Sequence, residues 1–355
     1  DQSRHGDDLA AILYTSGTTG RSKGAMLSHA NLASNARTLK DFWCFTSEDR
    51  LLHALPIFHT HGLFVATNTI AAAGASMLLL PVFDIREIMR LLPRATVMMG
   101  VPTFYTRLLA QPDFTADVAK NIRLFISGSA PLAATTHREF SARTGHAILE
   151  RYGMTETGMN TSNPYEGERI AGSVGRPLPG IDIRIADPAS GEEVRPGDVG
   201  QIEIKGPNVF KGYWRSPEKT AAEFRPDGFF MSGDLAFQDD KGYIHIVGRN
   251  KDLIISGGFN VYPAEVEGVI EELEGVAQCA VIGAPHADFG EAVVAVVVSR
   301  PGFSLSEERI AQAAAEKLAN YKRPKRIVIA GELPLNNMGK VQKNILRERY
   351  RCTFE

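Results

Sequence analysis

Short apolar runs alternate with longer amphipathic stretches over roughly the first 165 residues of the chain. The apolar runs cover residues 9–14, 51–55, 95–101 and 123–127, and residues 25–42 have the composition of a helix. Strands that alternate with helices are typical of a largely parallel sheet covered by helices. The pattern therefore predicts an α/β fold for this part of the chain.

Residues 62–83 carry no charge and are long enough to suggest a membrane span. Polar residues, a glycine and a proline interrupt this stretch, namely Thr67, Asn68, Thr69, Gly74, Ser76 and Pro81. We therefore expect a helix that ends near Gly74, followed by a short buried strand over residues 76–80, and no membrane insertion.

A second pattern covers residues 173–249. Residues 181–185 and 201–205 alternate strictly between apolar and polar side chains, and turns rich in Gly, Pro and Asp separate such runs. This alternation indicates antiparallel strands with one face towards solvent.

A third pattern begins after Lys251, with a helix opening at Pro263, strands over residues 276–282 and 292–298, and a helix over residues 306–320. In the first of these helices we expect an apolar inner face and an acidic outer face. The inner face comprises Val266, Ile270 and Leu273, and the outer face comprises Glu265, Glu267, Glu271 and Glu272.

These patterns predict a multidomain α/β protein. A large domain covers residues 1–250, with an α/β part over 1–165 and a mainly β part over 166–250. A small α+β domain covers residues 251–355, which is enough chain for a core of its own.

Composition argues against several classes of partner. The chain has 39 basic and 41 acidic residues and a net charge of −2, so we expect no nucleic-acid partner. Its three cysteines, Cys44, Cys279 and Cys352, have neither metal-site nor disulfide spacing, which favours a reducing, cytoplasmic location. No signal peptide is evident, and the early start of the first motif suggests part of a longer protein.

The sequence TSGTTGRSKG over residues 15–24 is the most informative motif. It follows a predicted strand, so its backbone N–H groups and hydroxyls are suited to a polyphosphate, with Lys23 supplying positive charge. The spacing is not that of a P-loop, because Lys23 follows Ser22 rather than Gly and no hydroxyl residue comes after it.

Four weaker motifs follow in order: YGMTET over residues 152–157, SGD over 232–234, GRNKDLIISGG over 248–258 and PLNNMGKVQK over 334–343. Thr155 and Glu156 are suited to a phosphate oxygen and a Mg²⁺ ion, although a Thr–Glu pair more often caps a helix. Asp234 could accept hydrogen bonds from a ribose or simply lie in a turn.

Together and in this order, the motifs resemble the adenylate-forming superfamily of acyl-CoA synthetases, adenylation domains and luciferases. The resemblance covers essentially the whole chain. It implies a large N-terminal domain and a small C-terminal domain that swings about a hinge at Lys251. Relatives carry a further stretch of the large domain ahead of the glycine-rich loop, and we expect the intact protein to contain it.

The resemblance also implies the reaction. A carboxylic acid attacks the α-phosphate of ATP to give an acyl-AMP and pyrophosphate, and coenzyme A then displaces AMP. Mg²⁺ binds at Glu156 and Thr155, and Thr155 also contacts the α-phosphate. The residues that the resemblance assigns to ATP are Thr15, Ser16, Gly17, Thr18, Thr19, Gly20 and Lys23 for the outer phosphates, Ser129, Ala130, Pro131 and Tyr152 around the adenine, and Asp234 and Arg249 for the ribose. It also assigns Arg151, Gly153, Met154 and Lys340 to the ATP site.

Lys340 is the residue that the resemblance implies for catalysis of adenylation, where an ammonium bridges the incoming carboxylate and the α-phosphate. Lys343 is the alternative amine, but the spacing from Gly339 favours Lys340. In the thioester step the lysine leaves, and Ser256, Gly257 and Gly258 line the path of the CoA thiol.

The resemblance implies that His59 occupies the position of the aromatic gate that this superfamily has between the acyl pocket and the thiol path. Its role there is one of shape rather than proton transfer, since a thiol needs little help near neutral pH. His59 and His61 lie two residues apart, but no third metal ligand is nearby.

Arg107 and Ser129 bear on the identity of the acid. Arg107 lies among apolar residues in a segment that forms the acyl pocket wall in relatives, where a guanidinium would pair with a second carboxylate. With Ser129, this pattern resembles the malonate-activating members of the superfamily. The alternative is that Arg107 lies on the solvent face of its helix.

The sequence therefore predicts an ATP-dependent acid–CoA ligase for malonate or methylmalonate. Alternatives are a short-chain or aryl monocarboxylic acid, an amino acid loaded onto a carrier protein, or an inactive truncated fragment. A homodimer is compatible with the sequence.

Overall fold

A computed structural model describes residues 3–15, 23–336 and 340–354. The chain divides into two compact units, one made of Asp1–Ser232 with Phe237–His245 and the other of Gly233–Ala236 with Ile246–Glu355. The mixed α/β multidomain fold expected from the sequence is confirmed. Within the described ranges, no helix combines the length and apolar character needed to cross a membrane.

The first unit begins with an antiparallel hairpin of β1 (Leu9–Thr15) and β2 (Lys23–Ser28). The strand predicted over residues 9–14 is therefore confirmed, but the helix expected from residue 25 is wrong at its start. Helix α1 (His29–Phe42) begins only after Ser28, whose hydroxyl accepts a hydrogen bond from the Asn31 backbone N–H at 3.2 Å. Pairing with β1 outweighs the helical preference of the Ala-Met-Leu segment before the cap.

A seven-stranded sheet forms the centre of this unit, with the order β4-β3-β5-β6-β7-β8-β9. The pairs β4–β3, β3–β5, β5–β6 and β6–β7 are parallel. The pairs β7–β8 and β8–β9 are antiparallel. The parallel sheet predicted from the sequence is confirmed. Its strands are β3 (Arg50–His53), β4 (Ser76–Leu79), β5 (Val97–Gly100), β6 (Leu124–Ser127), β7 (Leu149–Met154), β8 (Gly158–Ser162) and β9 (Arg176–Pro177).

Helices connect these strands. A π-helical turn, His61–Ala66, leads into α2, which ends as predicted at Gly74 in a left-handed conformation with φ 64°. The strand expected to be buried over residues 76–80 is instead the edge strand β4, and its side chains are exposed or half-exposed. The helices are α2 (Thr67–Ala73), α3 (Ile85–Leu91), α4 (Pro102–Leu109), α5 (Ala116–Ala119) and α6 (Ala134–Thr144).

A four-stranded sheet follows, in the order β10-β11-β12-β13, and β10 is antiparallel to β11 as expected. Its strands are β10 (Asp182–Ala186), β11 (Gly200–Lys205), β12 (Phe230–Gln238) and β13 (Ile244–Arg249), and α7 (Pro217–Ala222) lies between β11 and β12 in the chain. The expectation of a solvent-facing side is wrong for β11. Glu203 is fully buried there because Arg184 and Arg225 cover its carboxylate at 2.8 Å.

The second unit contains a five-stranded sheet in the order β15-β14-β17-β16, with β18 paired to β17. Its elements are β14 (Ile254–Ser256), β15 (Phe259–Val261), α8 (Pro263–Glu271), β16 (Val276–His286), β17 (Gly290–Ser299), α9 (Glu307–Lys317), β18 (Arg326–Ala330) and α10 (Lys343–Arg349). Alternate residues of β16 and β17 pack on α8 and α9 from one face and on α10 from the other.

The acidic face predicted for α8 is only partly exposed. Val266 and Ile270 are buried as expected. Glu267, however, accepts a hydrogen bond from the Val281 backbone N–H at 2.7 Å, and Glu271 accepts one from Cys279 at 3.3 Å. These two side chains face β16 rather than solvent, because they cap backbone donors of that strand.

Candidate active site

The two ends of the glycine-rich loop lie side by side, because Thr15 ends β1 opposite Lys23, the first residue of β2. Ser16, Gly17, Thr18, Thr19 and Gly20, predicted to contact phosphates, lie outside the described residues. The ammonium of Lys23 is 2.7 Å from Glu223 Oε1 and 4.6 Å from the ring centroid of Tyr213. The hairpin therefore places a largely buried cation at the exit of the loop.

Glu156 lies in the turn between β7 and β8, so the alternative that Thr155 and Glu156 cap a helix is wrong. The carboxylate of Glu156 is buried, accepts a hydrogen bond from the Tyr213 hydroxyl at 3.0 Å, and has its pKa raised by burial. A buried carboxylate of this kind is stabilised in its charged form by a cation.

The oxygen donors at this turn fit a magnesium ion. Mg²⁺ prefers hard oxygen ligands and takes one or two carboxylates together with substrate phosphates. Glu156 supplies a carboxylate, and the neighbouring hydroxyl of Thr155 is half-buried. Among the residues that the structure describes, no cluster of three or more His, Cys, Asp and Glu side chains forms a self-sufficient metal site.

The residues predicted around the adenine, and the neighbouring residues assigned to the ATP site, lie on β7 and after β6. Arg151 is buried in β7 with its pKa lowered by burial to about 9. Tyr152 is buried, with its hydroxyl 3.9 Å from the sulfur of Met154. Gly153 has no room for a side chain, because a Cβ there would lie 2.1 Å from the Gly158 carbonyl oxygen of β8. Ala130 is half-buried and Pro131 exposed, in the segment between β6 and α6.

Ser129 is brought together with a histidine that the sequence did not favour. Its backbone is left-handed with φ 71°, and its Oγ is 3.1 Å from His61 Nδ1. His61 is buried, whereas the predicted gate His59 is half-buried and accepts a hydrogen bond from the His61 backbone N–H at 3.3 Å. The two-residue spacing of the histidines was the only sequence signal for His61.

Arg107 is exposed on α4, and its guanidinium lies 5.4 Å from the ring centroid of Phe83. Phe83 in turn packs on Phe104 with ring centroids 4.0 Å apart. The exposure agrees with the alternative that Arg107 occupies the outer face of its helix. The guanidinium nevertheless lies within cation–π distance of the Phe83 ring.

Asp234 and Arg249, both assigned to the ribose, are partners in the second unit. Arg249 Nε donates to Asp234 Oδ1 at 3.2 Å, and Asp234 is buried. The SGD segment lies within β12, so the expected turn is wrong. Gly233 interrupts the regular strand with φ 75°, which explains why the segment looked like a turn.

Two hydrogen bonds join Asn336 to Lys340. The Lys340 backbone N–H donates to Asn336 Oδ1 at 3.0 Å, and the Asn336 N–H donates to the Lys340 carbonyl oxygen at 2.9 Å. Lys343, the alternative amine, forms an ion pair with Glu267 at 2.7 Å. Lys343 is therefore engaged by α8 within the second unit.

The residues assigned to the hinge and to CoA lie close to one another in the chain, between residues 251 and 258. Lys251 is in a 3-10 turn, Asn250–Asp252, and burial lowers its pKa. Ser256 ends β14, and Gly257 and Gly258 form a two-residue hairpin turn with φ 59° and 80°. Two successive positive φ values explain both glycines without reference to a ligand.

Sequence reasoning did not identify Tyr213 or Glu223. Both lie outside the motifs, and their contacts with Lys23 span about 200 residues of chain. No local spacing in the sequence signals such a pairing.

The mixed α/β fold and these side chains are those expected of an adenylate-forming enzyme, and comparison with known proteins agrees. The chain belongs to the AMP-binding enzyme family: the family model matches residues 1–214, and the model of the C-terminal domain of AMP-binding enzymes matches residues 265–340.

Three relatives are similar over nearly the whole chain. The ATP-bound structure of MatB from Rhodopseudomonas palustris is 61% identical with a TM-score of 0.97, covering 99% of this chain and 70% of that one. Malonate–CoA ligase of Arabidopsis thaliana is 39% identical, covering 96% of this chain and 61% of the relative. Feruloyl-CoA synthase of an Amycolatopsis species is 40% identical, covering 97% of this chain and 70% of the relative.

The chain spans 61% to 65% of the length of the curated malonate–CoA ligases that it matches. The resemblance to adenylate-forming enzymes drawn from the motifs is confirmed.

Proposed function

We propose that the protein is an ATP-dependent acid–CoA ligase that activates malonate as malonyl-AMP and transfers the acyl group to coenzyme A. The observation that carries this proposal is that the side chain of Tyr213 contacts both Lys23 and Glu156, close to the end of the glycine-rich motif. A cation and a buried carboxylate there suit the phosphates and metal of a nucleotide. The similarity to the ATP-bound MatB structure supports ATP as the nucleotide, and the similarity to the malonate–CoA ligase of Arabidopsis thaliana supports malonate as the acid.

The residues of the chain address two obstacles, the repulsion between two anions and the poor leaving group of a carboxylate. Residues 15–20 and Lys23 hold the outer phosphates, and Thr155 contacts the α-phosphate. Glu156 and Thr155 hold Mg²⁺, which when bound neutralises charge on the phosphates. Ser129, Ala130, Pro131 and Tyr152 line the adenine slot, and Asp234 and Arg249 bind the ribose. Arg151, Gly153 and Met154 complete the ATP site.

Lys340 is the proposed catalytic residue for adenylation, because its ammonium offsets the charge that develops between the carboxylate and the α-phosphate. We propose a large domain over residues 1–250, a small domain over 251–355 and a hinge at Lys251. Ser256, Gly257 and Gly258 then border the thiol path, and His59 gates it. Cytoplasmic location and a homodimer stay predictions.

The proposed acid is a small dicarboxylate, malonate before methylmalonate, with Arg107 and Ser129 recognising the second carboxylate. An aryl monocarboxylate is the second candidate, because the feruloyl-CoA synthase is as similar in sequence as the Arabidopsis malonate–CoA ligase. Identity to these two curated relatives therefore does not decide between the two acids.

Pyrophosphate release by the full chain, measured with malonate, methylmalonate, acetate and ferulate, separates these candidates. We expect the highest kcat/KM with malonate, and a loss of about 10²–10³ in rate for Lys340→Ala. A higher kcat/KM with acetate or ferulate would refute the dicarboxylate proposal. Calorimetric titration with ATP tests the alternative of an inactive fragment, which predicts no binding.

A further inference from the structure

We propose that Glu223 and Tyr213 are positioning residues that hold Lys23 and Glu156 as one unit for the outer phosphates of ATP and their metal. This inference rests on the proposed function but concerns two residues outside its motifs. Neither needs to touch the substrate, since each acts through a residue that does.

The backbone of Tyr213 is fixed to the strand that carries Lys23. Trp214 N–H donates to the Gly24 carbonyl oxygen at 2.8 Å, and Met26 N–H donates to the Gly212 carbonyl oxygen at 2.9 Å. Tyr213 itself is buried with Ala25 in one apolar cluster. These bonds therefore hold the backbone at Tyr213 beside the strand that carries Lys23.

The side chain of Tyr213 contacts both charged groups of the site. Its ring lies 4.6 Å below the ammonium of Lys23, a cation–π distance. Its hydroxyl is 3.0 Å from Glu156 Oε1 and 2.6 Å from Glu223 Oε2. One side chain thus connects the lysine at the loop exit with the carboxylate at the β7–β8 turn.

Glu223 completes the unit from the end of α7. Its Oε1 is 2.7 Å from Lys23 Nζ, and the exposed side-chain fractions of Lys23 and Glu223 are only 15% and 26%. Partial burial strengthens the interaction relative to one in open solvent. The hydroxyl of Thr220 in α7 also accepts a hydrogen bond from the Tyr213 N–H at 2.9 Å.

The geometry favours positioning over competition with the nucleotide. An ammonium has three N–H donors, and the ion pair with Glu223 uses one of them, leaving others for phosphate oxygens. A lysine already held in place loses less side-chain entropy when the phosphates arrive. Loss of either partner should therefore weaken ATP binding rather than strengthen it.

The test compares Glu223→Gln and Tyr213→Phe with wild type in the full chain. The first keeps the shape of the side chain and removes its charge, and the second keeps the ring over Lys23 and removes only the hydroxyl. Tyr243→Phe is the matched control, because Tyr243 is also buried and donates to the Glu168 carbonyl oxygen at 2.8 Å.

We expect Glu223→Gln to raise the Kd of ATP about 10-fold by calorimetry, with EDTA and with Mg²⁺ alike. Tyr213→Phe should raise the Mg²⁺ concentration needed for half-maximal activity and weaken ATP binding mainly when Mg²⁺ is present. In each variant the KM for ATP should rise by about the same factor as the Kd of ATP measured with Mg²⁺. The kcat at saturating ATP and the KM for malonate should change by less than about threefold. The control should leave every one of these quantities unchanged.

Unchanged or tighter ATP binding in folded Glu223→Gln and Tyr213→Phe would overturn the inference, as would an equal effect in Tyr243→Phe. A uniform loss of kcat without a change in the KM for ATP would also contradict it. If the wild-type chain binds no ATP, the proposed function itself fails, and the inference falls with it. Wild-type activity with malonate and unaffected variants would leave the proposed function standing and refute only the positioning role.

Discussion

The guanidinium of Arg151 lies directly against the backbone of Gly128, where an added Cβ would come within 2.3 Å of Arg151 Nη1. Gly128 has an ordinary φ, so the glycine is required by the space that Arg151 occupies and not by the conformation of the backbone. The contact joins the segment after β6 to β7, the two places where the predicted adenine residues lie.

Gly128→Ala should therefore displace the Arg151 side chain and lower stability. Overpacking of a buried site typically costs about 1–3 kcal/mol, and we expect a lower midpoint in chemical denaturation together with a higher KM for ATP. Gly268→Ala is the control, because among the described residues no heavy atom other than those of its chain neighbours and its own helix backbone lies within 4 Å of a Cβ at that position. It should be neutral or stabilising by up to about 1 kcal/mol, and equal destabilisation by both changes would contradict the steric argument.

The left-handed backbone of Ser129 allows its hydroxyl to be tested separately from its conformation. Ser129→Gly removes the hydroxyl and relieves a φ of 71°, whereas Ser129→Ala removes the hydroxyl and keeps the strain. We expect Ser129→Gly to be the more stable variant by up to about 1 kcal/mol. Both should show the same rise in the KM for malonate. If malonate kinetics stay at the wild-type level in both, Ser129 does not bind the acid.

Arg107→Met tests the proposed recognition of the second carboxylate. Hydrogen bonds to a charged group are worth about 1.5–3 kcal/mol, so the preference for malonate over acetate should fall about 10- to 150-fold while the Kd of ATP is unchanged. Competition kinetics with the two acids measure this ratio directly.

Arg138→Met is the control for that change, because Arg138 is likewise an exposed arginine on a helix of the same unit. It should leave the preference intact. If Arg107→Met retains the wild-type ratio, Arg107 does not recognise the second carboxylate, and another group recognises the acid.

The order of motifs and the alternation of strands and helices could be predicted from the sequence because both are local properties. The parallel strands and the helix end at Gly74 follow from apolar runs and from a residue that accepts positive φ. Errors arose where a distant partner decides. Residues 25–27 form a strand because β1 pairs with them, and Glu203 is buried because Arg184 and Arg225 reach it from outside its strand.

The candidate site shows the same division. Lys23 and Glu156 stand in motifs and were identified, while Tyr213 and Glu223 were not, since a single hydroxyl or carboxylate has no local signature. Only the fold brings Glu223 to Lys23.

Glu271 gives the second unit a dependence on pH that can be measured. Burial, reinforced by the nearby charge of Glu267, raises the pKa of Glu271 from 4.5 to about 7, against the opposing effects of the Cys279 N–H and Lys343. The folded state therefore binds a proton more tightly than the unfolded state does. The resulting stability is fully present below pH 4.5 and is lost as the pH rises through about 7.

Glu271→Gln, which stays neutral at every pH, should remove this dependence. We expect the variant to match wild type near pH 4.5 and to exceed it above pH 7 by up to about 3 kcal/mol, the equivalent of the pKa difference. Hydrogen exchange of α8 and β16 amides, read by mass spectrometry across this range, reports the second unit apart from the first. Glu272→Gln is the control, because Glu272 is exposed on the same turn and pairs with Lys317 at the surface. The prediction fails if wild type and Glu271→Gln lose protection in parallel between pH 5 and pH 8, since burial of the Glu271 charge would then have no part in the stability of this unit.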